Sequence, residues 1–288
     1  NVYPALSGPY TVGGVLPDFN LFSQLERALH HGGILNDVTF SIRNGTYVSQ
    51  LLIENFPRLS SAHTVTFTSA SGDSSLVSLT RNFTITGDNN YTVRLKDAHG
   101  IRFENISLAS TKGRVLELMN NSSDVVVANC HIKGVQLQYA YGGYELIYSG
   151  TTSEDSITIA NNYFEFGEQG IYMLGSSGDK EKHHIIENNH FNNCFSRSIY
   201  SRYTQDLQLN QNTISNSLNY HQGIVVSFLS GNVSISGNDI RLLAGGYYGM
   251  SIYASNGTAL LPIQVNNNYI LARNSSNATL GIAQEACN

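Results

Sequence analysis

The sequence predicts an all-β solenoid: short strands wound into stacked parallel coils around one core, with an amphipathic helix closing the N-terminal end. Three observations predict it. From about residue 91 onward the chain aligns with itself at a period near 25 residues. Each repeat is made of strands of three to five residues with polar bends, and no helix of ten residues fits between them. Asn recurs at one position of the repeat, at Asn162, Asn189, Asn212, Asn238 and Asn268, with spacings of 27, 23, 26 and 30 residues.

One strand of each repeat reads apolar-x-apolar and is followed by a bend and another apolar residue. Examples are Ile101 and Phe103 with Leu108, Ile157 and Ile159 with Phe164, and Leu207 and Leu209 with Ile214. A second strand precedes it, with the inward pairs Val93/Leu95, Leu116/Leu118, Leu146/Tyr148, Ile171/Met173, Ile199/Ser201, Ile224/Val226 and Met250/Ile252. Parallel strands normally need a crossover of a dozen or more residues, which this period lacks, so a βαβ fold is excluded. Coils stacked at about 4.8 Å bring equivalent side chains together. The recurrent Asn then forms a ladder, each amide donating to one neighbour and accepting from the other. Asn also tolerates a left-handed backbone, which is the conformation expected at its bend.

The N-terminal residues differ. Asp18 is placed to cap a helix over about 18–31 whose apolar face is Phe19, Phe22, Leu25, Ala28 and Leu29, ended by Gly32-Gly33. Such a helix covers the open end of a solenoid core. Strands are expected at Val38–Ile42, Leu51–Ile53, Val65–Phe67 and Phe83–Ile85. The whole chain, 1–288, reads as one domain: a cap at 1–34, irregular first coils at 35–90, seven regular coils at 91–272 and a C-terminal cap or tail at 273–288.

Composition narrows the function. Charged residues make up only 13% of the chain and the net charge is −5. That balance gives no basic excess to displace phosphate counterions, so nucleic acid is not an expected partner. No run of about 18 apolar residues is present, so no membrane insertion is expected. Cys130, Cys194 and Cys287 are odd in number and lack the spacing of a zinc site or a disulfide framework. The chain opens on Asn1 with no charged or apolar leader, as a processed or excised chain would.

The coil pattern and the Asn ladder, over roughly residues 35 to 272, resemble the right-handed parallel β-helix of the pectin-lyase-like superfamily. The stretches Tyr10-Thr-Val-Gly-Gly, Asp18-Phe19, Val38-Thr-Phe40 and Gly45-Thr-Tyr47 look like the start of pectin methylesterases. They look still more like secreted Bacteroidetes surface proteins with β-helix repeats. The resemblance implies a secreted or cell-surface protein, bacterial in origin. The superfamily's enzyme motifs do not carry over. Gln205-Asp206 stands without the Asp-Phe-Ile-Phe-Gly stretch of the esterases, and the acidic steps of the polygalacturonases are missing.

Candidate chemistry lies on the outward positions of the second strand. These are expected to stack as Arg94, Glu117, Ile147, Tyr172, Tyr200, Val225 and Ser251, with Lys96, Met119, Ser149, Leu174, Arg202, Ser227 and Tyr253 two residues on. Aromatic rings pack against sugars and Arg pairs with carboxylates, so Arg94, Tyr172, Tyr200, Arg202 and Tyr253 are substrate-binding candidates. Two insertions interrupt the period, at 133–145 and 175–184. The first carries Tyr139, Tyr141 and Tyr144, which join the binding candidates, because solenoid insertions form loops on one face. The second ends in His183-His184, whose side chains point apart in a strand and do not make a metal pair. For catalysis the candidates are Lys96, Glu117 and Arg202. No cofactor is called for; calcium enters only with a lyase reading and would need several oxygen ligands together. The expected function is an extracellular module that binds polysaccharide or cell-surface glycan without catalysis. The alternatives are a lyase or glycoside hydrolase acting on an acidic polysaccharide, and a structural or adhesin stalk.

Overall fold

The structure, a computed structural model, describes residues 3–57, 62–82, 89–140, 142–150, 154–244, 246–273 and 280–285. Three parallel sheets run along the molecule, and each turn of the chain adds one short strand to each sheet in the same order. In one turn, Thr158–Ala160 enters the first sheet, Tyr163–Glu165 the second and Gln169–Leu174 the third. The second and third sheets have nine strands each, so the solenoid makes about nine turns. The first sheet has ten, because Leu6–Val12 pairs in parallel with Ile34–Ile42 ahead of the first full turn. Leu280–Glu285, in the stretch assigned to a tail, adds the last strand of the third sheet beside Gly246–Tyr253. The expected strand at Phe83–Ile85 lies outside the described residues, as does Cys287.

The short apolar-x-apolar strands set this architecture. Each puts two side chains inward, and the copies pile into continuous rows. Phe40, Phe67 and Phe103 stack with centroids 5.2 and 5.1 Å apart, and Phe164 lies 4.5 Å from Phe191. Burying one such side chain is worth about 1.5–3 kcal/mol. Cys130 and Cys194 are buried free thiols within this core.

The Asn ladder is continuous. Nδ2 of Asn162, Asn189, Asn212 and Asn238 donates to Oδ1 of the next Asn at 3.0, 3.0, 3.0 and 2.9 Å, ending on Asn268. The same Oδ1 also accepts the backbone N–H of the preceding Asn, so each amide holds both main chain and side chain. At the start of the ladder Cys130 replaces Asn, and its N–H donates to Asn162 Oδ1 at 2.9 Å. The ladder Asn does not itself take the left-handed conformation. The residue before it does: Asn105, Asn129, Asn161, Asn188, Gln211, Gly237 and Asn267 have φ between 54° and 67°. The bend needs one left-handed residue pointing out and one amide pointing in, and the chain uses neighbouring positions for the two tasks.

The helix spans Phe22–Gly32 rather than starting at Asp18. The carboxylate of Asp18 accepts from the N–H and hydroxyl of Thr11 at 2.7 and 2.8 Å, and Phe19 exchanges backbone bonds with the same strand. Residues 18 and 19 are thereby tied to the first strand before the helix begins. Gln24 reaches back instead, accepting the N–H groups of Asn20 and Leu21 at 2.8 and 3.2 Å. Phe22, Leu25, Ala28 and Leu29 are buried over the core end, and Gly33 at φ 67° stops the helix.

Candidate functional site

The two insertions meet one face. The segment 133–145 precedes the third-sheet strand Ile147–Ser149, so it stands at the edge where the chain enters that sheet. The segment 175–184 follows Gln169–Leu174 and stands at the opposite, exit edge one turn further on. Both loops are pinned. Glu168 accepts the N–H of Gly142 at 2.7 Å, and Lys180 Nζ donates to Ser230 Oγ, 50 residues away, at 2.7 Å. The outer surface of the third sheet therefore lies between the edges that carry the two loops.

In register along that surface, the floor of the site, stand Leu52, Arg94, Glu117, Tyr148, Tyr172, Tyr200, Val225 and Ser251. The expected row is observed with one exception: Tyr148, not Ile147, faces outward. Ile147 and Ser149 are buried and pair with Ile171 and Met173. Leu146 is also buried, because the chain tucks one apolar residue into the corner before the strand starts. Counting alternation from Leu146 therefore shifts the strand by one and turns over its faces.

Tyr148, Tyr172 and Tyr200 form one stack, with centroids 5.3 and 4.9 Å apart and rings within 5° and 19° of parallel. The rings cover one another, and the row presents edges and phenols to a ligand. Burial raises the phenol pKa of Tyr148 and, together with its neighbour Tyr200, that of Tyr172, so both remain neutral donors. The Arg114 guanidinium lies 3.3 Å from the Tyr148 centroid, and Arg197 lies 4.9 Å from that of Tyr200.

The acids on this face are occupied. Glu117 is buried between Arg94, at 2.5 Å, and Arg114. Arg114 continues to Glu145 at 2.9 Å, and Glu145 also accepts the N–H of Gly143 at 3.3 Å. Burial works against the Arg114 charge, but Glu145 and then Glu117 outweigh it and hold its pKa above the ordinary value. Lys96 pairs with Glu54 at 3.2 Å. It lies four coils from Arg202, about 19 Å at the spacing of stacked strands, so the three catalytic candidates do not converge.

The exit edge carries a second aromatic row. Tyr203 and Phe228 stack at 4.6 Å, and Tyr253 meets Phe228 edge-on at 5.7 Å. Arg202 lies 4.9 Å from the Tyr203 centroid and 5.1 Å from that of Phe228. Tyr203 and Phe228 both sit at φ 55°, in the turn position that other coils give to Asp97, Asn120 and Ala254. A bulky residue in that conformation costs about 1–2 kcal/mol. Two rings are thus held where an Asn would fit more easily. At the entry edge, Tyr139 is 65% exposed, and Tyr220 and Tyr247 face each other at 5.5 Å. Tyr144 is in the same loop, and Tyr141 lies outside the described residues. Sequence reasoning missed Tyr148, Tyr203, Phe228, Arg114 and Arg197. The αL turn position was the available signal for Tyr203 and Phe228.

The His pair separates, but through a turn and not by strand alternation: His183 sits at φ 53°, and the strand begins only at Ile185. His183 faces out and bonds Asp155 at 2.7 Å, while His184 is buried against Glu181 at 3.2 Å. Behind Tyr148, Ser149 bonds both Glu154 and Glu181 in the interior. Among the described residues no three His, Cys, Asp or Glu side chains are grouped to hold a metal ion. No helix among them is long and apolar enough to cross a membrane.

A family model described as "Right handed beta helix region" matches residues 145–286. Pectate lyase Pel9A superposes with a TM-score of 0.52 at 10% identity, covering 98% of this chain and 78% of the lyase. The fold is a right-handed parallel β-helix. Other β-helix proteins are similar at lower scores. Pectin methylesterase from Aspergillus niger has 12% identity, a TM-score of 0.47 and coverage of 98% and 87%. PfbA, a surface adhesin of Streptococcus pneumoniae, has 11% identity, a TM-score of 0.32 and coverage of 87% and 85%. A search of curated protein sequences gives no significant match. At these identities the likeness is one of fold, and the function has to be argued from the site.

Proposed function

We propose that this β-helix is an extracellular module that binds polysaccharide along the outer face of the third sheet and does not cleave it. The observation that carries the reading is the joint placement of both insertions and both aromatic rows on one face. A saccharide chain laid along the solenoid axis meets the phenols of Tyr148, Tyr172 and Tyr200 on the floor. Tyr203, Phe228 and Tyr253 flank it on one side, and Tyr139, Tyr220 and Tyr247 on the other. Aromatic surface with polar edges is the chemistry that packs on sugar rings. Binding without turnover is supported by Glu117 and Glu145, which are consumed by Arg94 and Arg114 and are not poised as an acid and base pair. The pectate lyase likeness is compatible with a polysaccharide partner and a secreted location.

The test is a panel of neutral and acidic polysaccharides. Retention is scored by affinity electrophoresis, and turnover by new reducing ends and by the ultraviolet absorbance of unsaturated uronates in the same samples. Retention without products is expected. Product formation would favour the lyase or hydrolase alternative, and no retention of any polysaccharide would favour a stalk.

A further inference from the structure

Four arginines lie on the proposed binding face, and they fall into two kinds. Arg94 and Arg114 are neutralised by Glu117 and Glu145. Arg197 and Arg202 begin and end a single strand of the same sheet, and among the described residues neither has a carboxylate within 4.0 Å. Arg197 is oriented by neutral amides, donating from Nε to Gln222 at 2.7 Å and from Nη1 to Gln169 at 3.4 Å. These contacts fix the guanidinium fork and leave its charge whole. Arg202 lies against Tyr203 and Phe228, and its Nη2 reaches the Tyr203 hydroxyl at 3.4 Å. Its Nε is buried and has no hydrogen-bond partner.

Arg197 lies over the Tyr200 ring, and hydrogen bonding to Tyr203 outweighs burial and favours the Arg202 charge. An acidic chain with net charge −5 thus keeps two uncompensated cations at the centre of one face, between aromatic walls. An uncompensated guanidinium at a partly exposed position is the arrangement that receives a planar carboxylate or a sulfate. The half of the floor near Arg94 is internally neutral and offers an anion nothing comparable.

We infer that the glycan taken by this face is anionic, and that its charged groups are received by the strand Arg197–Arg202. This rests on the polysaccharide-binding reading above and names the ligand class. Arg197 and Arg202 would set specificity, while the aromatic rows supply sequence-tolerant contact area.

The experiment uses two matched pairs of probes: polygalacturonate against its fully methyl-esterified form, and dextran sulfate against dextran. Within each pair the backbone is the same and the charge differs. Binding is measured by calorimetry and affinity electrophoresis for the wild-type chain and for Arg197→Gln, Arg202→Gln and, as a control on another face, Arg241→Gln. Arg241 is paired with Asp239 at 2.7 Å and should not matter. At least one charged probe is expected to bind roughly tenfold or more tightly than its neutral partner. Each of the two face variants should lose most of that preference and keep its weak binding of the neutral form. The uronate and sulfate arms separate recognition of the two anion types. Equal binding of charged and neutral forms by the wild type would overturn the inference and leave polysaccharide binding intact. Unchanged discrimination in both face variants, with unaltered melts, would also overturn it. Retention of none of the four probes would count against this inference, and extending that failure across the wider panel would remove the polysaccharide reading as well.

Discussion

Asn212 sits in the middle of the amide ladder, and replacing it with Leu tests how the solenoid is held together. In the native chain Asn212 Oδ1 accepts the backbone N–H of Asn189 at 3.1 Å and its Nδ2 at 3.0 Å. Asn212 Nδ2 donates to the carbonyl of Ile186 at 2.9 Å and to Asn238 Oδ1 at 3.0 Å. Leu removes these four side-chain bonds and a fifth, from Nδ2 to the Asn210 carbonyl at 3.1 Å. Some groups retain other partners: Asn189 Nδ2 still donates to Ile159, and Asn238 Oδ1 still accepts the N–H of residue 212. The backbone N–H of Asn189 and the carbonyl of Ile186 lose these amide bonds in a site that solvent does not reach. A stranded buried group costs about 1–3 kcal/mol, so the substitution should cost about 2–5 kcal/mol in all. Residue 212 is not left-handed, so Leu adds no backbone strain to that figure. Denaturant titration followed by circular dichroism should show the loss, with a melting temperature lower by roughly 5–15 °C for a chain of this size. Asn210→Ser, two residues earlier on the outer side of the same coil, is the comparison: it loses bonds to Ser234 and Ser236 at a partly exposed surface and should cost less. A melt for Asn212→Leu within about 2 °C of wild type would refute the reasoning that the ladder is an energetic element.

Other outcomes follow from the same structure. His221 is fully buried, and burial pushes its pKa down to about 3 from 6.5. The unfolded chain then binds more protons between those values, so stability should be complete above about pH 6.5 and fall as the pH drops toward 3, by at most about 5 kcal/mol. Titrating stability with pH should show this slope, and His221→Asn should flatten it. Glu117→Gln removes the buried charge that Arg94 and Arg114 share, although Arg114 keeps Glu145, and should destabilise the fold by about 3 kcal/mol, whereas Lys96→Ala breaks a half-exposed pair and should cost less than about 1 kcal/mol. Thermal melts of the two variants check the contrast. Double replacement of Tyr220 and Tyr247 by Ala should weaken polysaccharide retention while shifting stability by less than about 0.5 kcal/mol, as surface substitutions usually do. Lost stability with retained binding would make that pair structural.

Most of the architecture was legible because a solenoid repeats its rules. Ile101 and Phe103, Ile157 and Ile159, and Leu207 and Leu209 all read inward and are buried. The Asn spacing reads as a ladder and is one. Errors arose where the repeat is interrupted. At Leu146 an insertion ends in a corner residue that mimics the first inward position, which shifts the apparent alternation of the strand by one residue. At Asp18 a good capping residue is spent on Thr11, a contact seven residues back that no local rule anticipates. The site was legible only in part. Tyr172, Tyr200 and Arg202 could be placed by alternation, whereas Arg114 and Arg197 sit at strand starts where alternation has no phase. That Glu117 is consumed by two arginines depends on side-chain reach across coils, which sequence spacing does not encode.

The measurement that bears most directly on the central claim is a crystal structure of the chain bound to an oligosaccharide selected from the polysaccharide panel. The saccharide should lie along the third sheet over Tyr148, Tyr172 and Tyr200, uncleaved, between the 133–145 and 175–184 loops. A charged group should rest on Arg197 or Arg202. A saccharide bound instead to the outer face of the second sheet, or found as cleaved product on the third, would contradict the account.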